Sequence, residues 1–239
     1  MGFNEALLLV EAVICAGLVI AVWTLDRERL MGVIAIALIL ITTAGGKVIE
    51  VFGHETNTGN LFYASIFLAT YFLIERYGRR AGMRAVWWGV AAVVSFLALA
   101  ELSVAFVGSG QTGSFDAALF SIFDRAPRIA LASLVAYVAS QSLNVYLYAY
   151  LKRRLDGGRL WLRANIANAL AQVLDSAVFF SIAFIGVVPP PHVFDIIVTG
   201  YVIKTCFIAV AAPLLYFNTV EEEEGDTASV TIRYDRISG

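Results

Sequence analysis

Residues 127–151 read PRIALASLVAYVASQSLNVYLYAYL and residues 160–186 read LWLRANIANALAQVLDSAVFFSIAFIG, two apolar runs joined by a basic link. In the first, Ser133, Tyr137, Gln141, Asn144 and Tyr148 succeed one another at intervals of three or four. On a helix that spacing puts all five on one face. Asn165, Asn168, Gln172, Asp175 and Phe179 repeat the pattern in the second run, whose remaining residues are mostly Ala, Leu, Val, Ile and Phe. Two apolar helices, each with one polar stripe, are expected to wall a polar cavity inside a membrane.

The rest of the chain fits that setting. Of 239 residues 59% are hydrophobic and 15% charged, and the mean hydropathy is +0.77. Soluble domains carry more charge and less apolar residue. Apolar stretches of about 20 residues, enough to cross a hydrocarbon core of roughly 30 Å, recur along the chain. Seven spans are expected, at about 5–25, 30–51, 61–77, 83–107, 128–151, 160–187 and 194–217, forming one all-α polytopic bundle over residues 1–218. The third is the shortest and the second ends in polar residues, so these two are expected to tilt or to pack partly outside the hydrocarbon. Residues 219–239, which begin with the acidic run Glu221 to Glu224, are expected to be a mobile tail. Within the link 108–126, residues 115–123 form an amphipathic piece, read equally well as an interfacial helix or as a loop.

Basic residues orient the bundle. The links after spans one, three and five hold Arg27 and Arg29, then Arg76, Arg79, Arg80 and Arg84, then Lys152, Arg153, Arg154, Arg159 and Arg163; the opposite side offers Arg125 and Arg128. Eleven against two places the N-terminus outside and the C-terminus in the cytoplasm. A net charge of −2 with no basic tract argues against a nucleic-acid partner. Glu5 and Glu11, with no basic residue ahead of them, make the first apolar run a retained helix and not a signal peptide.

Ionisable groups at membrane depth cost several kcal/mol by most scales and call for partners. Gln141, Asp175 and Lys204 fall near the middles of their spans, and Lys204 is the expected counter-ion of Asp175, in a packing pair or in a substrate or coupling site. Lys47 and Glu50, three apart in span two, are expected to meet on one helix face near its outer end. Glu101 is expected to pair with Arg128, while Glu75, Arg76 and Arg79 read as interfacial anchors. Glu11 has no evident partner and is assigned to packing. Enzymatic chemistry finds little support: His54 and His192 are the only histidines, both in links, the residue facing Asp175 is Asn144, and Cys15 and Cys206 stand alone. No catalytic residue, metal or cofactor is expected.

Scattered motifs then carry a resemblance. Lys47-x-x-Glu50-x-Phe52-Gly53, Gly59-Asn60, Tyr63-Ala64-Ser65-Ile66-Phe67-Leu68-Ala69-Thr70 and Glu75-x-Tyr77-Gly78 are followed in order by Pro127-Arg128-Ile129-Ala130, Ala136-Tyr137, Ser140-Gln141 and Leu160-Trp161-Leu162-Arg163. Gln172-x-x-Asp175-Ser176, Phe179, Ala183-Phe184 and Tyr201-x-x-Lys204 complete the series. Together, over about residues 47–217, they resemble the queuosine precursor transporters, also called the vitamin uptake transporter family. The resemblance implies an inner-membrane helical importer of 7-deazaguanine bases. Tyr71 and Asn144 depart from it, standing where the family commonly has Asp, and residues 163–168, Arg-Ala-Asn-Ile-Ala-Asn, replace the usual Arg-Asn-Asn-x-Ser-Thr.

A guanine-like edge shows adjacent N–H donors that one carboxylate can accept in a two-point contact. Asp175 is the expected acceptor, with Gln141, Asn144, Gln172 and Asn168 for the remaining edge, Thr70 beside them, and Tyr63, Tyr71, Tyr137 or Phe179 over the flat face. Lys204, Glu101, Arg128, Lys47 and Glu50 are the expected ion-pair or coupling groups. The partners expected are a purine-like solute and the bilayer, with a homodimer or an energising partner as further options. The alternatives are a substrate-capturing subunit that works with a separate ATPase, and a scaffold whose polar stripes serve helix pairing alone.

Overall fold

The computed structural model describes residues 2–23, 26–45, 47–108, 113–123, 127–155, 159–184 and 191–216, without the side chains of 127–130, 180, 183–184 and 191–196. Eight α-helices and one hairpin make up these residues: α1 Phe3–Trp23, α2 Arg27–Thr43, β1 Val48–Val51, β2 His54–Asn57, α3 Gly59–Tyr77, α4 Arg79–Ala105, α5 Gly113–Phe123, α6 Pro127–Arg154, α7 Leu160–Phe184 and α8 Pro191–Ala211. A 3-10 turn, Ala212–Leu215, with Pro213 in its first turn, ends the last helix. There the proline ring has no N–H to continue the α-helical ladder. The expected tail, residues 219–239, and the proline turn at 189–190 lie outside the described residues.

By length and composition three helices can cross a membrane: Phe3–Trp23, Arg79–Ala105 and Ile197–Leu215. Of the others, α3 lies at the centre of the bundle. From Ala64 to Glu75 every residue of α3 is buried, and it packs against α1, α2, α4, α6 and α8. The shortest of the expected spans is therefore the one the other helices enclose. A helix enclosed on all sides needs no apolar stripe, so brevity and an even distribution of small and aromatic residues are what a hub leaves in the sequence.

The second expected span also ends early. Helix α2 stops at Thr43, and Val48–Val51 pairs antiparallel with His54–Asn57 around the two-residue turn Phe52-Gly53. Both turn residues have positive φ, 53° and 78°, the backbone of the tight hairpin turns that follow strand twist. Lys47 and Glu50 therefore do not share a helix face: Lys47 leads into the hairpin, Glu50 sits on its first strand, and both are exposed. The hairpin is tied to the start of α1, where Asn4 Nδ2 donates to Glu50 O at 2.9 Å and Phe52 N donates to Glu5 Oε1 at 2.9 Å.

Where α2 gives way to the hairpin and α3 begins, two glycines touch. A Cβ on Gly59 would stand 3.0 Å from the Gly45 Cα, backbone against backbone. Gly59→Ala is thus expected to push α2 and α3 apart and to cost about 1–3 kcal/mol, as overpacking does. Thermal unfolding in detergent measures it; an unchanged midpoint would show that the crossing is loose.

The bundle has a hairpin end and a basic end. At the latter, Gly78, with φ 76°, lets α4 follow α3 without a loop. The amphipathic piece expected at 115–123 is indeed helical, in α5, with no buried residue.

Candidate functional site

Helices α6 and α7 form an antiparallel pair whose polar rows turn inward toward α3. Gln141, Asn144, Asn168 and Gln172 are all fully buried, at 0% exposure. Tyr137 is buried with them. Two members of the rows fall off this face: Ser133 is exposed, and Asn165 turns its amide back to Trp161 O at 2.8 Å.

Three layers follow one another from the hairpin end to the basic end. In the first, Asp175 Oδ1 accepts from the Tyr63 hydroxyl at 2.7 Å and from Ser140 Oγ at 3.0 Å, and the two hydroxyls lie 3.0 Å apart. One carboxylate thus ties α3, α6 and α7 together. Lys204 does not reach it as a direct ion partner; its Nζ stands 5.0 Å from the centroid of the Tyr63 ring, over the π-face. Asp175 and Lys204 still act on each other electrostatically, with Tyr63 in contact with both. Ser140 lies three residues after Tyr137 and four before Asn144, so the same spacing that marks the row places it on that face as well.

The second layer carries amides the protein leaves unanswered. Gln141 Nε2, both polar atoms of Asn168 and both of Gln172 are buried without a hydrogen-bond partner among the described residues, as is Tyr137 Oη, which lies one turn nearer the hairpin end beside Gly89 of α4. Such groups are rare in folded proteins, and each costs about 1–3 kcal/mol when nothing answers it. Within hydrogen-bond reach of one another are the Tyr71 hydroxyl and Asn144 Oδ1, at 2.9 Å, with Ala164 O at 3.1 Å. Those two residues are the positions where the sequence departs from the resembled pattern, and they satisfy each other. Thr70 spends its hydroxyl on Ile66 O of its own helix, at 2.7 Å. Phe179 is half-buried at the far end of the row.

A third layer closes the basic end. Tyr71 and Tyr148 stack with centroids 4.4 Å apart, and the Arg163 guanidinium lies 5.5 Å from the Tyr148 ring. Arg163 Nη2 donates to Glu75 Oε1 at 3.0 Å, Lys152 Nζ pairs with Glu75 Oε2 at 3.0 Å, and the same Nζ donates to Glu75 O at 2.8 Å. The Glu75 side chain is 5% exposed and that of Arg163 is 0%. Glu75 is thus no interfacial anchor, and Arg163 is no link residue. Sequence reading missed both because their partners stand 77 and 88 positions away. Of the remaining expected groups, Glu101 is exposed on α4, and the side chain of Arg128 lies outside the described residues.

A helical membrane protein with an enclosed, amide-rich interior is the class this geometry defines. Residues 57–218 match the family described as "Putative vitamin uptake transporter", and the chain belongs to that family. It is 34% identical over 171 residues to the "Probable queuosine precursor transporter" of Bacillus subtilis (strain 168), covering 71% of this chain and 74% of that one. It is 30% identical over 150 residues to the "Queuosine precursor transporter" of Escherichia coli (strain K12), covering 62% and 65%. A third relative, from Haemophilus influenzae, is 30% identical over 135 residues, with 56% and 54% covered, and carries the same name as the Bacillus protein. No solved structure matches the chain.

Proposed function

We propose that this chain carries a queuosine precursor, a 7-deazaguanine base, or a closely related purine-like solute across the membrane, at a site between α3, α6, α7 and α8. The observation that supports this most is the facing pair of rows, in which Gln141, Asn168, Gln172 and Tyr137 offer donors and acceptors that the protein does not use. A planar base with a mixed donor and acceptor rim matches that inventory, while aliphatic solutes do not. In the mechanism we infer, the base exchanges with Tyr63 and Ser140 for the Asp175 carboxylate, which accepts two N–H groups from the guanine-like edge. The amides of the second layer read the remaining edge, and Tyr63 or Tyr137 covers the ring face. The Glu75, Arg163 and Lys152 cluster bars the basic end and has to part for release. Seven spans with the basic end in the cytoplasm complete the reading, so that release is inward.

Purified chain heated in detergent tests it. Cyano- and aminomethyl-7-deazaguanine are expected to raise the unfolding midpoint, because a ligand that binds the folded state stabilises it. Adenine, thiamine and biotin at equal concentration are expected not to. A panel in which no deazaguanine shifts the midpoint would overturn the assignment. Uptake by the chain alone in liposomes then separates a self-sufficient carrier from a capturing subunit that needs an ATPase.

A further inference from the structure

At the basic end, where α3 turns into α4 beside the last turns of α6, there is a cavity of about 410 Å³ that the transport reading does not use. Its wall includes Arg79, Arg80, Lys152 and Arg153, and no Asp or Glu. Lys152 is committed to Glu75. The Arg79 guanidinium lies 4.9 Å from the Tyr146 ring. Arg80 and Arg153 are exposed and have no carboxylate partner among the described residues. A second cavity at the same end, of about 430 Å³, makes the contrast: it has Arg27 and Arg84, but Glu28 shares its wall and pairs with Arg27 at 2.7 Å.

Four cations around one concavity repel one another unless an anion joins them. The surroundings say which kind. Ile74, Tyr77 and Ala149 supply an apolar and aromatic wall. Next to it on α6, Tyr146 and Tyr150 are 50% and 48% exposed, one turn apart on the outward face. Aromatic rings of this kind sit at headgroup level, and Arg and Lys at that depth pair with phosphate. Arginine forks suit phosphate oxygens through paired, charge-assisted hydrogen bonds.

We propose that this cavity is a binding site for the phosphate headgroup of an anionic phospholipid, held by Arg80 and Arg153 with Arg79 and Lys152 behind them. The inference is independent of what the chain transports. Lys152 belongs to both the cavity and the Glu75 cluster, so a lipid phosphate drawn in here stands beside the closure of the basic end.

The test uses full-length protein in detergent, titrated with phosphatidylglycerol or phosphatidylcholine of the same acyl chains, with inorganic phosphate as a third arm. Phosphatidylglycerol is expected to raise the unfolding midpoint more than phosphatidylcholine does. The Arg80→Gln/Arg153→Gln double variant is expected to lose most of that difference, and Arg27→Gln/Arg84→Gln, with equal loss of charge, to keep it. Equal loss in both variants would reduce the effect to general surface charge and overturn the site. A full shift from inorganic phosphate would overturn the lipid as its occupant. Native mass spectrometry of the unaltered chain is the second readout, and equal adducts of the two lipids would reject the proposal whether or not the variants fold.

Discussion

Asp175→Asn is expected to weaken binding of a deazaguanine by roughly 100-fold or more while leaving the chain folded. A two-point contact between a carboxylate and adjacent N–H donors is worth about 3 kcal/mol or more beyond its neutral counterpart, and 1.4 kcal/mol is a factor of ten. The amide cannot replace it, because one of its two polar groups is a donor and meets the base donor to donor. The fold survives for a local reason: a single oxygen, Oδ1, accepts from both Tyr63 and Ser140, and the Asn side-chain oxygen can accept the same two bonds. Titration calorimetry and uptake measure the loss. Uptake at the level of the unaltered chain would reject Asp175 as the acceptor.

The second large effect concerns stability. Glu75→Gln strips the countercharge from an arginine with no access to water, and breaking one side of a buried pair costs about 3–5 kcal/mol. Arg163→Met alone leaves Glu75 with Lys152, which is partly exposed and still pairs with it, so its cost should be smaller. The double variant Glu75→Gln/Arg163→Met is expected to regain much of the loss, since removing both charges removes the uncompensated one. A double-mutant cycle in unfolding free energy reads this coupling directly. Additive effects would mean that the two side chains do not act as a pair.

What the sequence made legible was whatever is written within one helix. The rows on α6 and α7 follow from a spacing of three and four, and the structure turns Gln141, Asn144, Asn168 and Gln172 to the same interior. The rest depends on partners far away in the chain. Glu75 looked like an anchor because nothing near it in sequence announces Lys152 or Arg163. Helix α3 looked marginal because a helix buried on all sides lacks the two-faced pattern that marks a surface helix. The hairpin was read as the end of a span, since Val48, Ile49 and Val51 are as apolar as helix residues; the signals against it were the glycines at 45 and 46 and the Phe52-Gly53 turn. Short apolar runs leave that ambiguity, and flanking glycine is what decides it.

Lys204 shows a subtler gap. Depth alone paired it with Asp175, and the two do act on each other, but the tyrosine in contact with both could be found only from the arrangement of three helices.

The order of helices has a consequence for how the chain is made. The strongly apolar segments, Phe3–Trp23, Arg79–Ala105 and Ile197–Leu215, lie early, midway and late among the described residues. Helix α3 rests on α1 and α4, α6 on α4, and α7 on α8. Each helix that the bilayer would accept poorly by itself is therefore born next to, or between, greasy chaperones from its own chain. Helices α3 and α7 both wait for α8 before their packing is complete. Lesions in α8 should accordingly betray themselves during biogenesis, as failed insertion of residues already translated, before any defect in transport can be seen.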